Sequence, residues 1–205
     1  MCADNNNFKK ILKPSFFAIT AIILLTQLSF SSAQMPSNDR EVQLIKIIND
    51  YRLTRGLPII PISPSLMKVA DAHAKDLEKS SPAGACNMHS WSSSGDWSSC
   101  CYTPDHAKSQ CMWNKPREIT ANFYTGNGFE IAYKSDGIFS LPRVIDAWKR
   151  SSGHHAVMVN SETWEKIKWE AIGAGISEHY AVVWFGQEPE PEPLLTTKNT
   201  EDQSK

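Results

Sequence analysis

Three side chains are of types that do chemistry and stand where local sequence would present them: His89 in Met88-His-Ser-Trp91, Glu130 in Gly128-Phe-Glu-Ile-Ala-Tyr133, and His154 in Ser152-Gly-His-His155. Neutral imidazole nitrogens and a carboxylate oxygen bind zinc and other divalent cations, and a site with three protein ligands keeps a position open for water. Water polarised by such a metal would permit hydrolysis. Without a metal, the same groups make a hydrogen-bonded polar cluster that shapes a binding surface without turnover. Both outcomes require folding to gather residues that lie far apart along the chain.

Other candidates are weaker. Glu118 in Arg117-Glu-Ile competes with Glu130, which is preferred. His73 falls inside an apolar helical stripe and reads as a core histidine bonded to backbone. His155 could add a ligand or face solvent. Cys86, Cys100, Cys101 and Cys111, with His106 among them, could be read as a zinc cluster, but the spacing is no standard finger. The chain contains no Gly-x-Ser-x-Gly elbow, no His-Glu-x-x-His helix and no phosphate loop.

The elements that must position these residues sit in a chain of 205 residues with a formal charge of -1, enough for one ordinary domain with tails. Residues 1–33 read as a secretory signal: Lys9, Lys10 and Lys13 precede an apolar run from Phe16 to Leu28, and Ser31-Ser-Ala33 offers a cleavage site before Gln34. That run is shorter than the ~20 residues that span a bilayer, so no stable membrane span is expected after cleavage. Loss of the signal leaves a charge of about -3, which does not resemble the basic stripe of a nucleic-acid binder. An exported chain keeps its remaining cysteines, Cys86, Cys100, Cys101 and Cys111, as disulfides. Direct Cys100–Cys101 pairing would strain the backbone, which leaves two connectivities open. Either one staples residues 86–111 locally.

Asn38-Asp-Arg-Glu41 reads as a capping box opening a helix in which Leu44, Ile45, Ile48 and Tyr51 recur at helical spacing. Ser63 as N-cap and Pro64 at the first helical position open a second helix, with Leu66, Val69, Ala70, His73 and Leu77 as its buried stripe. Residues 84–128 read as an irregular insertion held by crosslinks. Trp91, Trp97, Trp113 and Phe123 would fill a small core under the disulfides, or form an apolar ligand or partner surface. A third helix carries Val144, Ile145 and Trp148 to Gly153, and a short helical turn follows from His154 to Val159. Residues 171–176 and 180–186 read as strands, the second apolar on both faces and therefore covered on both sides. From 188 onward, Glu-Pro repeats and polar residues predict an extended, unpacked tail. Local pattern thus predicts an α+β fold.

The run Trp148-Lys-Arg-Ser-Ser-Gly-His154, followed by Ala171-Ile-Gly-Ala-Gly-Ile176 and Tyr180-Ala-Val-Val-Trp-Phe-Gly186, resembles the C-terminal half of a CAP domain. This is the SCP-like family of cysteine-rich secretory proteins, antigen 5 and pathogenesis-related 1 proteins. His89 followed by Ser, Glu130 in place of the Gly-Glu-Asn-Leu-Ala segment, and His154 after Gly match the family's three motifs in order. The resemblance covers residues 41–187, after a short linker over 34–40. It implies a three-layer α-β-α sandwich with a disulfide-stapled loop insertion, and a groove lined by His89, Glu130 and His154. It implies secretion and binding of a sterol, another lipid or an extracellular protein. The alternatives are a metal-dependent hydrolase or protease using the same groove, and a passive extracellular interaction module. Many relatives carry a second acid shortly after the helix tryptophan. Here Lys149-Arg-Ser-Ser152 stands there, and Asp146 precedes Trp148 on a different side of the helix.

Overall fold

The computed structural model describes residues 39–192. The expected signal over 1–33, Asn38 of the expected capping box, and the tail from 193 onward lie outside the described residues. Helices α1 (Asp39–Thr54) and α2 (Pro64–Lys79) are followed by the cysteine-rich segment, which contains the short helices α3 (Ser109–Trp113) and α4 (Lys115–Ile119). Strand β1 (Gly128–Lys134), helices α5 (Leu141–Arg150) and α6 (Ser152–Val159), a 3-10 turn at Glu162–Trp164, and strands β2 (Ala171–Ile176) and β3 (Tyr180–Gly186) complete the order.

The three strands form one antiparallel sheet in the order β1-β3-β2. Central β3 is buried along its whole length, as its doubly apolar pattern requires. Ala181, Val183 and Phe185 join Ile131 of β1 under α1, α5 and α6, where Ile48, Ile145 and Trp148 fill the core. Val182 and Trp184 join Ala132 of β1 on the opposite face, under Leu66, Val69 and Ala70 of α2. The expected three-layer α-β-α sandwich is therefore present. Each fully buried Leu, Ile or Phe in these layers contributes about 1.5–3 kcal/mol.

The start of α2 follows its sequence signals. Ser63 adopts extended geometry and its Oγ accepts the Leu66 amide at 3.0 Å, with Pro64 at the first helical position. The helix then lies directly on β2. A Cβ at Gly173 would come 2.1 Å from the Leu66 backbone carbon, and one at Gly175 would come 2.1 Å from the Ala70 carbonyl oxygen. Glycine at these two positions is what lets helix and strand backbones touch.

Two expectations need correction. The tail was expected to be unpacked from 188, yet Tyr124 Oη donates to the Glu188 carbonyl at 2.6 Å, and the Glu190 carboxylate accepts from the Ser65 hydroxyl at 2.8 Å, the Ser65 amide at 3.2 Å and the Ser63 hydroxyl. The cause is the N-terminus of α2, whose free amides and positive dipole end attract an acid. The insertion expected to be irregular also contains α3, α4 and an antiparallel bridge between Trp91 and Cys100. Its disulfides are Cys86–Cys101 and Cys100–Cys111, one of the two open connectivities.

Because Gly175 meets backbone rather than a movable side chain, Gly175→Ala must push α2 off the sheet. Thermal unfolding should show a loss of about 1–3 kcal/mol. A melting temperature equal to wild type would contradict the close contact.

Candidate functional site

An acid in the middle of an apolar strand needs partners, because burying an unpaired carboxylate is very costly. Glu130 has that problem. It sits between Phe129 and Ile131 in β1, pairs across the sheet with Trp184, and its side chain is fully buried. Strand alternation turns it toward α2 while Phe129 and Ile131 face the other layer. There two imidazoles meet it. His73 Nδ1 lies 2.5 Å from Glu130 Oε1, and His89 Nδ1 lies 2.7 Å from Oε2. His73 comes from the third turn of α2 and is fully buried; His89 comes from the cysteine-rich segment and keeps 20% of its side chain exposed.

Donor accounting sets the protonation pattern. An ionised carboxylate only accepts, so both Nδ1 atoms carry hydrogen. His73 Nε2 also faces an acceptor, the Ser90 carbonyl, at 3.0 Å. Satisfying both ring nitrogens takes the imidazolium, so His73 and Glu130 form a buried ion pair. The indole of Trp91 stacks on the His73 ring at 4.1 Å and 7°, a cation–π contact. His89, with its proton on Nδ1, keeps a lone pair on Nε2. Its amide donates to Asn87 Oδ1 at 3.0 Å, and Tyr102 packs edge-on to its ring at 5.4 Å.

The electrostatics agree. Burial alone would raise the Glu130 carboxyl, but the charge and hydrogen bond of His73, then those of His89, overcome it and hold the group below the usual carboxylate value. His154, half-buried in the first turn of α6, is lowered by burial and by the neighbouring His89, with Glu130 opposing. It is therefore neutral at physiological pH. Tyr102 is raised, by burial first and then by the Glu130 charge.

His89 and Glu130 thus touch, and His154 lies within electrostatic reach of both. Its neighbour His155 turns elsewhere, with Nε2 2.9 Å from Tyr51 Oη. Glu118 is tied to Lys115 Nζ at 2.5 Å and to the Ser98 amide, not to a histidine. Asp146 is exposed. Placement of α6 depends on Arg52, a buried side chain of α1 that donates to the Met158 carbonyl at 2.7 Å, Asn160 Oδ1 at 2.6 Å and the Pro58 carbonyl at 3.0 Å. Burial lowers its pKa to about 10, so it stays cationic.

For zinc or another divalent ion, the donor chemistry fits in a narrower form than three direct ligands. Both Glu130 oxygens are occupied by imidazole N–H groups, which leaves the His89 Nε2 lone pair and the neutral His154 ring as donors. Among the described residues, the trio whose ligand atoms all lie within 4.8 Å of one another is instead Glu78, Glu178 and His179, where the end of α2 meets the β2–β3 turn. There His179 Nδ1 is 2.7 Å from Glu78 Oε1, a contact that first of all pins the turn to α2.

The reading of His73 as a core histidine bonded to backbone is half of what the structure holds: the Ser90 bond is present, and so is Glu130. The signal was an acid and a histidine, each alone in an apolar stripe.

The fold and these motifs have known counterparts. The model of the cysteine-rich secretory protein family, CAP, matches residues 45–179. No curated protein matches in sequence. Among solved structures, an outer surface protein of Borrelia burgdorferi is similar with a TM-score of 0.50 and 19% identity, over 75% of this chain and 96% of that one. An extracellular protein containing a SCP domain from Bacillus anthracis is similar with a TM-score of 0.53 and 14% identity, over 74% of this chain and 41% of that one. The chain belongs to the CAP family.

Glu130 is ionised and paired in the folded state, with its pKa held down, so its contribution to stability is full above the unfolded carboxylate value and is lost as pH falls through the lower folded value. Acid denaturation followed by circular dichroism should therefore show wild type losing its stability advantage over Glu130→Gln as pH drops below about 4.3, the unfolded value. Parallel pH profiles for the two proteins would contradict the buried pairing.

Proposed function

We propose that this chain is an exported binding protein whose recognition surface centres on His89, Glu130 and His154. Export is supported by the signal-like segment over 1–33 and by the two disulfides, a bond type that persists in oxidising compartments. The occupancy of Glu130 carries the choice of binding as the first reading: both oxygens of this carboxylate are bound to buried or half-buried imidazoles, so it is not itself a base or acid free to act on a water. The His89 Nε2 lone pair is the basic group through which the hydrolase alternative would act.

His89 and His154 are the groups left to face a ligand. His89 offers its Nε2 lone pair and His154 a neutral ring, while Glu130 orients His89 and His73 fixes Glu130 in turn. A carboxylate behind an imidazole is the arrangement that strengthens a histidine toward a metal. Zinc bound there would supply a Lewis acid that gathers a polar group of the ligand. The ligand itself is taken to be an extracellular partner, with sterols and other lipids as the alternative the same experiment reads.

Calorimetric titration of zinc should give heat with wild type and none with the His89→Ala/His154→Ala double variant; equal heats would remove the proposed site. Peptide and ester turnover should be absent from both proteins. Turnover by wild type that the double substitution abolishes would replace binding with metal-dependent hydrolysis. Saturable retention of labelled sterols or fatty acids would select the lipid alternative.

A further inference from the structure

Beyond β3 the chain runs as Gln187-Glu-Pro-Glu190-Pro-Glu192, and two of its groups are seated on the domain. Tyr124, whose side chain is fully buried, donates its hydroxyl to the Glu188 carbonyl at 2.6 Å. Two residues on, the Glu190 carboxylate reaches the start of α2. There it accepts from the Ser65 hydroxyl at 2.8 Å, the Ser65 amide at 3.2 Å and the Ser63 hydroxyl. Gly126 lies under the path: a Cβ there would come 3.0 Å from Glu188 Cγ.

Donor accounting at α2 shows what this seat requires. The Leu66 amide donates to Ser63 Oγ at 3.0 Å and the Met67 amide to the Ser63 carbonyl at 2.9 Å, while Pro64 has no amide hydrogen. Among the described residues, the Ser65 amide finds its acceptor in Glu190. Ser63 and Ser65 are 0% and 6% exposed. Without the carboxylate, two hydroxyls and an amide lose their acceptor away from water, and an orphaned buried donor costs about 1–3 kcal/mol. The positive end of a 16-residue helix adds a preference for negative charge. The upstream half of the seat reads backbone, through Tyr124. Prolines on both sides of Glu190 hold an incoming chain extended, so it has little conformational freedom to lose on binding.

We propose that the Tyr124–Ser63–Ser65 seat is a docking site for an acidic, proline-interrupted peptide of a partner protein, and that the chain's own Glu188–Glu190 segment closes it as an autoinhibitory strap. The carboxylate goes to the start of α2 and the carbonyl two residues earlier goes to Tyr124. The strap begins just beyond the end of β3, so it competes at an effective concentration on the order of millimolar. This seat is built from residues other than His89, Glu130 and His154, so it stands or falls independently of the histidine site.

The test is titration of the full-length, isotope-labelled chain with the peptide Glu-Pro-Glu-Pro-Glu-Pro, read at the Ser65 amide resonance. Glu190→Ala opens the seat and should bind the peptide saturably. Wild type should bind it about tenfold more weakly or worse, as expected where the open form is a tenth or less of the population. Glu190→Gln keeps the side-chain size and removes the charge; it gives the same reading if Glu190→Ala fails to fold, and should also bind more tightly than wild type. Adding Ser65→Ala to either variant should weaken binding. No saturable shift in either folded variant, or equal affinity in wild type, overturns the proposal. Equal binding of Gln-Pro-Gln-Pro-Gln-Pro also overturns it, because the seat would then not read the carboxylate.

Discussion

A carboxylate buried on the inner face of a β-sheet's edge strand is the constraint around which this molecule is arranged. Glu130 is enclosed by the same layers that bury Val182 and Trp184, and it stays ionised because two imidazoles reach it from different parts of the chain. One comes from α2 and the other from the disulfide-held segment. Removing either would leave a buried charge under-compensated, the situation in which a missing partner costs more than the intact pair contributes. The sheet, α2 and the insertion are thus joined at one shared polar node.

The rest of the architecture serves that node. Gly173 and Gly175 allow α2 to lie against β2, which sets the depth at which His73 enters. Asp76, one turn further along α2, holds Ser92 and so fixes the segment that carries His89. Cys86–Cys101 and Cys100–Cys111 close the same segment from its far side. Arg52 ties α1 to the end of α6 and thereby positions His154. Hydrophobic burial makes the sandwich stable, while a small set of directional contacts decides where the imidazoles stand.

Much of this was legible from residue types. Ser63-Pro64 announced α2, the two-faced apolarity of 180–186 announced a covered central strand, and the motifs around His89, Glu130 and His154 announced the family. What was not legible depends on contacts between distant segments. His73 looks like any polar intruder in an apolar stripe until strand pairing shows that Glu130 faces it. The binding of Glu190 to the start of α2 depends on a helix terminus that composition does not reveal, so the Glu-Pro run read as unpacked from its first residue. The cysteine pairing was left between two connectivities because loop lengths of similar size do not distinguish them. Helices α3 and α4 are too short for their periodicity to stand out.

The tautomer of His89 tests the central arrangement most directly. Nitrogen-15 spectra of histidine-labelled protein at neutral pH should show His89 protonated at Nδ1 with a free Nε2, and His73 protonated at both nitrogens. A His89 ring protonated at Nε2, or exchanging freely between tautomers, would mean that Glu130 does not hold it and would contradict the account.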